Sequence, residues 1–148
     1  MIYSELLLAH ARHPRHQDRL VAPAVVASAH NPACGDLVAL ELALDGGRVA
    51  AVCVAVRGCA VATAAGSLAG DVILGRDLAE LRGLTERWLQ ALADPTQGPD
   101  ALPAALDPTR PLLSLRDRPA RLRCASLPWD ALSVALRSRP EPSPPRLP

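Results

Sequence analysis

The sequence of 148 residues carries a net charge of +1 and is 49% hydrophobic. A chain of this length typically forms one domain and buries about 70% of the surface that its unfolded form exposes. All sixteen basic residues are arginines, which excludes a Schiff-base lysine, a phosphate-loop lysine and a lysine general base. The near-neutral charge and the 2% aromatic content argue against nucleic-acid binding, which needs a basic face and stacking side chains.

The sequence has four cysteines and shows neither a secretory signal nor a membrane-spanning apolar stretch. The lack of both predicts a cytoplasmic protein. In that reducing compartment, cysteines more often bind metals or take part in catalysis than form disulfides. The cysteines are therefore the first candidates for functional residues.

The N-terminal segment has apolar residues at near-helical spacing and a proline that ends the pattern. The apolar residues are Ile2, Leu6, Leu7 and Ala9. Because Pro14 cannot continue a helix, this spacing predicts an amphipathic helix that ends near Arg12 and packs on the core. His10, His13 and His16 follow one another at intervals of three. A metal site is one interpretation, but Pro14 breaks the helical face that would gather them, which favours a polar, exposed helix end.

Three runs of β-branched and small residues follow, at residues 24–30, 37–44 and 48–56. The last two are joined by Asp45, Gly46 and Gly47, a typical signal for a tight hairpin. Apolar residues alternate with mixed ones along the second run, which indicates one buried face. The prediction is an α+β fold in which a small antiparallel three-stranded sheet packs against helices.

The second half of the chain is predicted to be helical with one irregular stretch. The alanine-rich residues 60–69 indicate a helix, and Asp77 with Glu80 forms a capping-box pattern before a helix that reaches residue 93 and buries Trp88. Six prolines and glycines between residues 94 and 111 predict a surface insertion without long regular structure. Pro128 fits the first turn of a last helix that includes Trp129.

These boundaries predict a single domain at residues 1–139 with the insertion at 94–111. Five prolines fall within residues 140–148, and this composition predicts a disordered tail.

Three cysteines and one aspartate lie at turns or at helix starts. Asn31 and Pro32 form a turn signal just before Cys34, and Asp36 follows two residues later. Since neighbouring antiparallel strands place alternate ends together, this loop and Cys59, which follows the third strand, are expected at the same end of the sheet. With Cys124 the set has three sulfurs and one oxygen, which suits tetrahedral zinc.

Two considerations bear on this ligand set. Three thiolates and one carboxylate around a divalent ion would leave a net negative site, for which Arg57, Arg121 and Arg123 are placed in sequence as counter-charges. The alternative is that the cysteines are simply small buried apolar residues. Cys53, in the middle of the third strand with no turn beside it, is interpreted in that way.

Four segments of the sequence match a known family. They are Tyr3 with His10, Pro14 and Arg15, then residues 31–36 (NPACGD), residues 58–61 (GCAV) and residues 121–129 (RLRCASLPW). The chain, over about residues 2–136, resembles the U-type proteins of iron–sulfur cluster assembly, which include SufU-type sulfurtransferases, IscU-type scaffolds and the NifU N-terminal domain. The long span from Cys59 to Cys124, and Arg123 where the scaffolds carry a histidine, resemble the SufU type.

The resemblance implies a SufU/IscU-like fold and a specific activity. Cys34, Asp36, Cys59 and Cys124 would bind Zn²⁺, and Cys34 would accept persulfide sulfur from a pyridoxal-phosphate-dependent, SufS-type cysteine desulfurase whose own histidine takes over a zinc position. Cys124 is the second candidate acceptor. The sulfur would then pass to a downstream scaffold complex of the SufBCD type.

Two alternative functions stay open beside the sulfur relay. One is an IscU-type scaffold that assembles a [2Fe–2S] cluster on the same residues, and the other is a zinc-stabilised interaction module without chemistry. The sequence also departs from the family where Val56 replaces a glycine and where residues 62–67 (ATAAGS) replace a serine-rich run. Neither departure involves a candidate ligand.

Overall fold

The computed structural model describes residues 5–137, which form four α-helices, three strands and two 3-10 segments. In chain order these are α1 (Glu5–Arg12), β1 (Val25–Asn31), β2 (Asp36–Asp45), β3 (Arg48–Arg57), α2 (Ala60–Ile73), α3 (Leu78–Ala93), the 3-10 segments Pro99–Ala101 and Ala104–Leu115, and α4 (Pro119–Arg137). Within residues 5–137 no helix has the length and apolar character that a bilayer crossing requires.

The three strands form one antiparallel sheet in the order β1-β2-β3, which confirms the predicted α+β meander. Gly46 and Gly47 have φ of 60° and 86°, and this left-handed pair is what a two-residue hairpin turn requires. Asn31 pairs with Asp36, and Leu37 pairs with Arg57. The β1–β2 loop therefore lies beside the exit of β3, as the strand order predicts.

The core lies between the inner face of the sheet and helices α2 and α4, and α3 packs against α4. Inward-facing residues such as Val38, Leu40 and Val54 are fully buried. The rings of Trp88 on α3 and Trp129 on α4 are also fully buried, with centroids 6.4 Å apart, so the two helices share one aromatic contact. The predicted burial of Trp88 is confirmed.

The proline-rich stretch differs from its prediction as an irregular surface excursion. A 3-10 helix runs from Ala104 to Leu115 and buries one face completely, formed by Leu106, Thr109, Leu112 and Leu115. The prediction was wrong because these residues recur every three positions, which is the period of a 3-10 helix and not of an α-helix or a strand. The domain boundaries stay a prediction, and residues 140–148 lie outside the described part of the chain.

Helix α4 begins at Pro119, and not at Pro128 as predicted. Pro119 fits a helix start because the first N–H groups of a helix have no intrahelical partner. Pro128 lies inside the helix, where it has no N–H to donate to the carbonyl of Cys124, four residues earlier. Packing tolerates this loss, because Pro128 and its neighbours Leu127 and Trp129 are buried.

Two local predictions about helix ends also need correction. Helix α3 forms as predicted, but the Asp77 side chain makes no capping hydrogen bond and instead lies 3.8 Å from Arg48. Helix α1 ends at Arg12 as predicted, yet His10 is only 6% exposed and its Nδ1 lies 2.6 Å from Ser67 Oγ. The interpretation of His10 as part of an exposed helix end was wrong, because α1 packs on α2.

Candidate metal centre

The β1–β2 loop places Cys34 at an exposed tip. Asn31 Oδ1 accepts a hydrogen bond from Ala33 N at 3.1 Å, and the Asn31 carbonyl accepts from Cys34 N and Gly35 N at 3.2 and 2.7 Å. Gly35 has φ of 78°, a conformation that glycine adopts at little cost. These bonds close the turn, so that Cys34 is exposed while Asp36, two residues later, is buried.

Asp36 and Cys59 are joined by two hydrogen bonds. Cys59 N donates to Asp36 Oδ1 at 3.1 Å, and Cys59 Sγ donates to Oδ2 at 3.3 Å. Cys59 is also the N-cap of α2, where its Sγ accepts from Ala62 N at 3.4 Å. The start of α2 is therefore attached directly to the carboxylate at the end of the sheet.

Cys124 brings the third sulfur from helix α4. It is 2% exposed, and its Sγ donates to Ala120 O at 3.6 Å. The ligand atoms of Cys34, Asp36 and Cys124 all lie within 4.8 Å of one another. Since Cys59 Sγ contacts the same carboxylate, the structure brings all four predicted side chains to one end of the sheet. That they bind a metal ion stays a prediction.

The cluster shifts the pKa of Asp36 and of Cys124 in opposite directions. Burial acts to raise the pKa of Asp36, but the nearby thiols of Cys124, Cys59 and Cys34, together with the hydrogen bond from the Cys59 N–H, hold it below its usual range. Burial, followed by hydrogen bonding to Asp36 and Cys59, raises the pKa of the Cys124 thiol. The cluster thus holds a charged carboxylate beside a protonated Cys124 thiol, and a metal ion that bound here would displace that thiol proton.

The predicted counter-charges do not contact the site. Arg57, Arg121 and Arg123 are exposed, and within the part of the chain that the structure describes none of them forms an ion pair with Asp36. Their effect is therefore limited to long-range attraction that salt screens. The Asp36 carboxylate is stabilised instead by the hydrogen bonds from Cys59 N and Sγ.

The donor set fits Zn²⁺ by its chemistry. Thiolate sulfur and carboxylate oxygen are both normal zinc ligands, and four of them complete a tetrahedral site. Thiolates also bind iron in iron–sulfur clusters, so the same residues fit either group. The exposed sulfur of Cys34 is the ligand that an incoming molecule could reach.

Cys53 lies away from this cluster. It is fully buried, as predicted, but it pairs with Glu41 across β2 and β3, on the face of the sheet opposite Val52 and Val54. Strand alternation alone could not show what covers that outer face.

Gly58 is a site residue that sequence reasoning did not single out beyond its motif. A Cβ atom at this position would lie 2.5 Å from Asp36 Oδ1 and 2.6 Å from Asp36 Cγ. No real Cβ makes such contacts, so any side chain at position 58 must displace the carboxylate. Because Gly58 has no side chain, the Asp36 carboxylate can lie against Cys59.

Gly58→Ala is expected to weaken metal binding by about tenfold or more, a typical cost of disturbing the groups that orient ligands. Competition with a chromophoric zinc chelator would measure the affinity. Gly83→Ala is the matched control, because a Cβ there, in an exposed position of α3, meets nothing within 4 Å. Equal zinc affinities for both variants and the unmodified protein would contradict this role of Gly58.

Comparison with known proteins places this chain in a family. The family model described as the NifU-like N terminal domain matches residues 2–107. The iron–sulfur cluster assembly scaffold protein IscU of Streptococcus pyogenes serotype M1 is 26% identical over 139 residues, covering 92% of this chain and 83% of that protein. The zinc-dependent sulfurtransferase SufU of Bacillus subtilis (strain 168) is 27% identical over 132 residues, covering 88% and 86%.

Solved structures show the same architecture. The crystal structure of an iron–sulfur cluster assembly scaffold protein for the SUF system, from Fervidobacterium islandicum AW-1, matches with a TM-score of 0.79 at 24% identity, and the match covers 92% of this chain and 97% of that one. This likeness supports the fold alone. Since the family model spans more than half of the sequence, the chain belongs to the NifU-like N-terminal domain family.

Proposed function

We propose that this protein takes part in iron–sulfur cluster assembly as a zinc-dependent sulfurtransferase. It would accept persulfide sulfur from a pyridoxal-phosphate-dependent cysteine desulfurase and pass it to a cluster-building complex. The observation that carries the proposal is the cluster itself, in which an exposed thiol, Cys34, lies within 4.8 Å of a buried carboxylate and a buried thiol. The similarity to a relative named zinc-dependent sulfurtransferase supports it.

The residues divide into holding and accepting roles. Asp36, Cys59 and Cys124 are buried or half-buried and tied to one another, which suits ligands that stay in place. Cys34 is exposed on a turn, which suits a ligand that can leave. When bound, zinc would supply the positive charge that keeps the thiols deprotonated.

Sulfur transfer to Cys34 balances without an external oxidant. The Cys34 thiolate attacks the outer sulfur of the persulfide on the desulfurase, and a new S–S bond forms as the donor S–S bond breaks. The desulfurase cysteine leaves as a thiolate, and Cys34 carries the persulfide. The burial of Cys124 makes it the second candidate acceptor, because a donor cannot reach it without movement of the loop.

An iron–sulfur scaffold is the second candidate function. The relative from Streptococcus pyogenes is named a scaffold, and thiolates with one carboxylate can also hold a [2Fe–2S] cluster. The two functions make different demands on the site, because a relay needs only one exchangeable thiol while a scaffold needs all the ligands on iron.

Desulfurase turnover with and without this protein tests the proposal. We expect the zinc-loaded protein to stimulate sulfide or alanine release by a SufS-type desulfurase and to carry one extra sulfur, seen by mass spectrometry on the Cys34 peptide. A purified protein that contains iron and sulfide and absorbs in the visible range would favour the scaffold. Bound zinc without any stimulation would leave an interaction module and would overturn the transferase proposal.

A further inference from the structure

The segment His13–Leu20 leaves α1 and crosses to the sheet, and we call it the strap. Its fourth residue, His16, has φ of 64°, a left-handed conformation that is uncommon for a residue with a side chain and is kept only when the surroundings enforce it. The strap is therefore held by specific contacts and not by the local preference of its backbone.

Helix α2 provides the first set of contacts. His16 Nε2 lies 2.7 Å from Asp71 Oδ1, and Arg15 N donates to Ser67 Oγ at 2.9 Å. A Cβ atom at Gly70 would overlap the His16 ring, so the ring occupies the space that this glycine leaves open. These contacts fix the strap at one edge of the molecule.

The sheet provides the second set of contacts. The His16 carbonyl accepts a hydrogen bond from Val54 N, at the free edge of β3, at 2.6 Å. Further along, Arg19 Nε donates to Glu41 Oε2 at 2.8 Å, and Leu20 N donates to Glu41 Oε1 at 2.9 Å. Glu41 is 3% exposed while the Arg19 side chain is 71% exposed, so the strap is what satisfies a buried carboxylate.

Cys53 lies beneath this contact. It is paired with Glu41 across the two strands, on the outer face of the sheet, and is fully buried. Burial, and then the Glu41 charge, raise the pKa of the Cys53 thiol, and the charges of Arg19 and Asp18 on the strap also act on it. Cys53 is not one of the residues of the main hydrophobic core, because helices cover the other face of the sheet.

We propose that the strap is a conformational latch, which opens as a unit while the rest of the fold stays intact, and that Cys53 is a concealed thiol exposed by that opening. The strap is held mainly by the polar contacts to Ser67, Asp71, Val54 and Glu41 and not by an apolar face. Segments held in this way open at a lower free energy than the core. Opening would free the edge of β3 at Val54 and the thiol together. The latch is independent of the metal proposal, since none of its contacts involves a candidate ligand.

The rate at which N-ethylmaleimide labels Cys53 in the full-length protein tests the latch, with peptide mass spectrometry to locate the adduct. Arg19→Ala removes the charged anchor and leaves Glu41 buried without it. We expect labelling of Cys53 to become about tenfold faster, since losing a partner of a buried charged group costs at least as much as one factor of ten in an equilibrium. Arg48→Ala is the matched control, because Arg48 is 65% exposed and its partner Asp77 is also exposed, at 63%, and it should leave the rate unchanged.

The urea dependence of the same rate separates latch opening from global unfolding in the unmodified protein. An opening confined to the strap exposes little surface, so the slope of the logarithm of the rate against urea should lie well below the slope of global unfolding measured by circular dichroism. If the two slopes agree, Cys53 is reached only through global unfolding and the latch does not exist. Equal acceleration by Arg19→Ala and Arg48→Ala would overturn the proposal as well.

Discussion

Cys34→Ala is expected to abolish persulfide transfer and to leave the metal-free fold intact. Cys34 is exposed on a turn that is closed by the carbonyl and side chain of Asn31, so the free energy of unfolding without metal should change by less than about 0.5 kcal/mol, as for most surface substitutions. The other two thiols of the cluster are less accessible, since Cys124 is buried and Cys59 is half-buried and hydrogen-bonded to Asp36. Radiolabelled sulfur transfer from a desulfurase, together with urea unfolding in the presence of a chelator, measures both quantities.

Cys53→Ala is the matched control, because it should change stability and not persulfide transfer. Cys53 is fully buried and pairs with Glu41, which is not part of the cluster. Its replacement should therefore lower the free energy of unfolding by about 1 kcal/mol and should leave persulfide transfer intact. If Cys34→Ala retained transfer while Cys124→Ala lost it, the acceptor would be Cys124, and the exposed loop would serve only as a ligand.

Much of the sheet and of the candidate site could be predicted because the signals are local. Gly46 and Gly47 mark the hairpin by the φ that the turn demands. The antiparallel order then puts the loop that carries Cys34 and Asp36 beside Cys59 with no further information. Cys59 at a helix start is also a local feature, and the structure has it as the N-cap of α2.

The features that sequence reasoning missed depend on contacts between distant segments. His10 is polar and lies near the end of a short helix, and only its packing against Ser67 on α2 makes it buried. Pro128 is a typical helix start by composition, but burial against the core keeps it inside α4. The role of Gly58 follows from a contact with Asp36, 22 positions away along the chain. Such effects of tertiary packing override local preference.

Trp129→Ala is expected to cause a large loss of stability. Removal of a fully buried tryptophan typically costs about 3–5 kcal/mol, and here the ring also contacts Trp88, with centroids 6.4 Å apart. For a protein of this size that loss lowers Tm by roughly 6–20 °C. Differential scanning calorimetry of the metal-free protein would measure it, and a shift below about 3 °C would contradict the role given to the aromatic pair.

Trp129→Phe separates packing from hydrogen bonding at the same position. The Nε1 atoms of Trp129 and Trp88 are buried and have no hydrogen-bond partner among residues 5–137, so phenylalanine removes an unsatisfied donor while it keeps part of the ring contact. We expect the loss of stability for Trp129→Phe to be less than half of that for Trp129→Ala, because removal of the buried N–H offsets part of the lost buried area.

Trp129 follows Cys124 by little more than one turn of α4, so zinc affinity should fall with Trp129→Ala and recover with Trp129→Phe. A variant that lost stability but kept full zinc affinity would show that α4 holds Cys124 in place without its aromatic anchor.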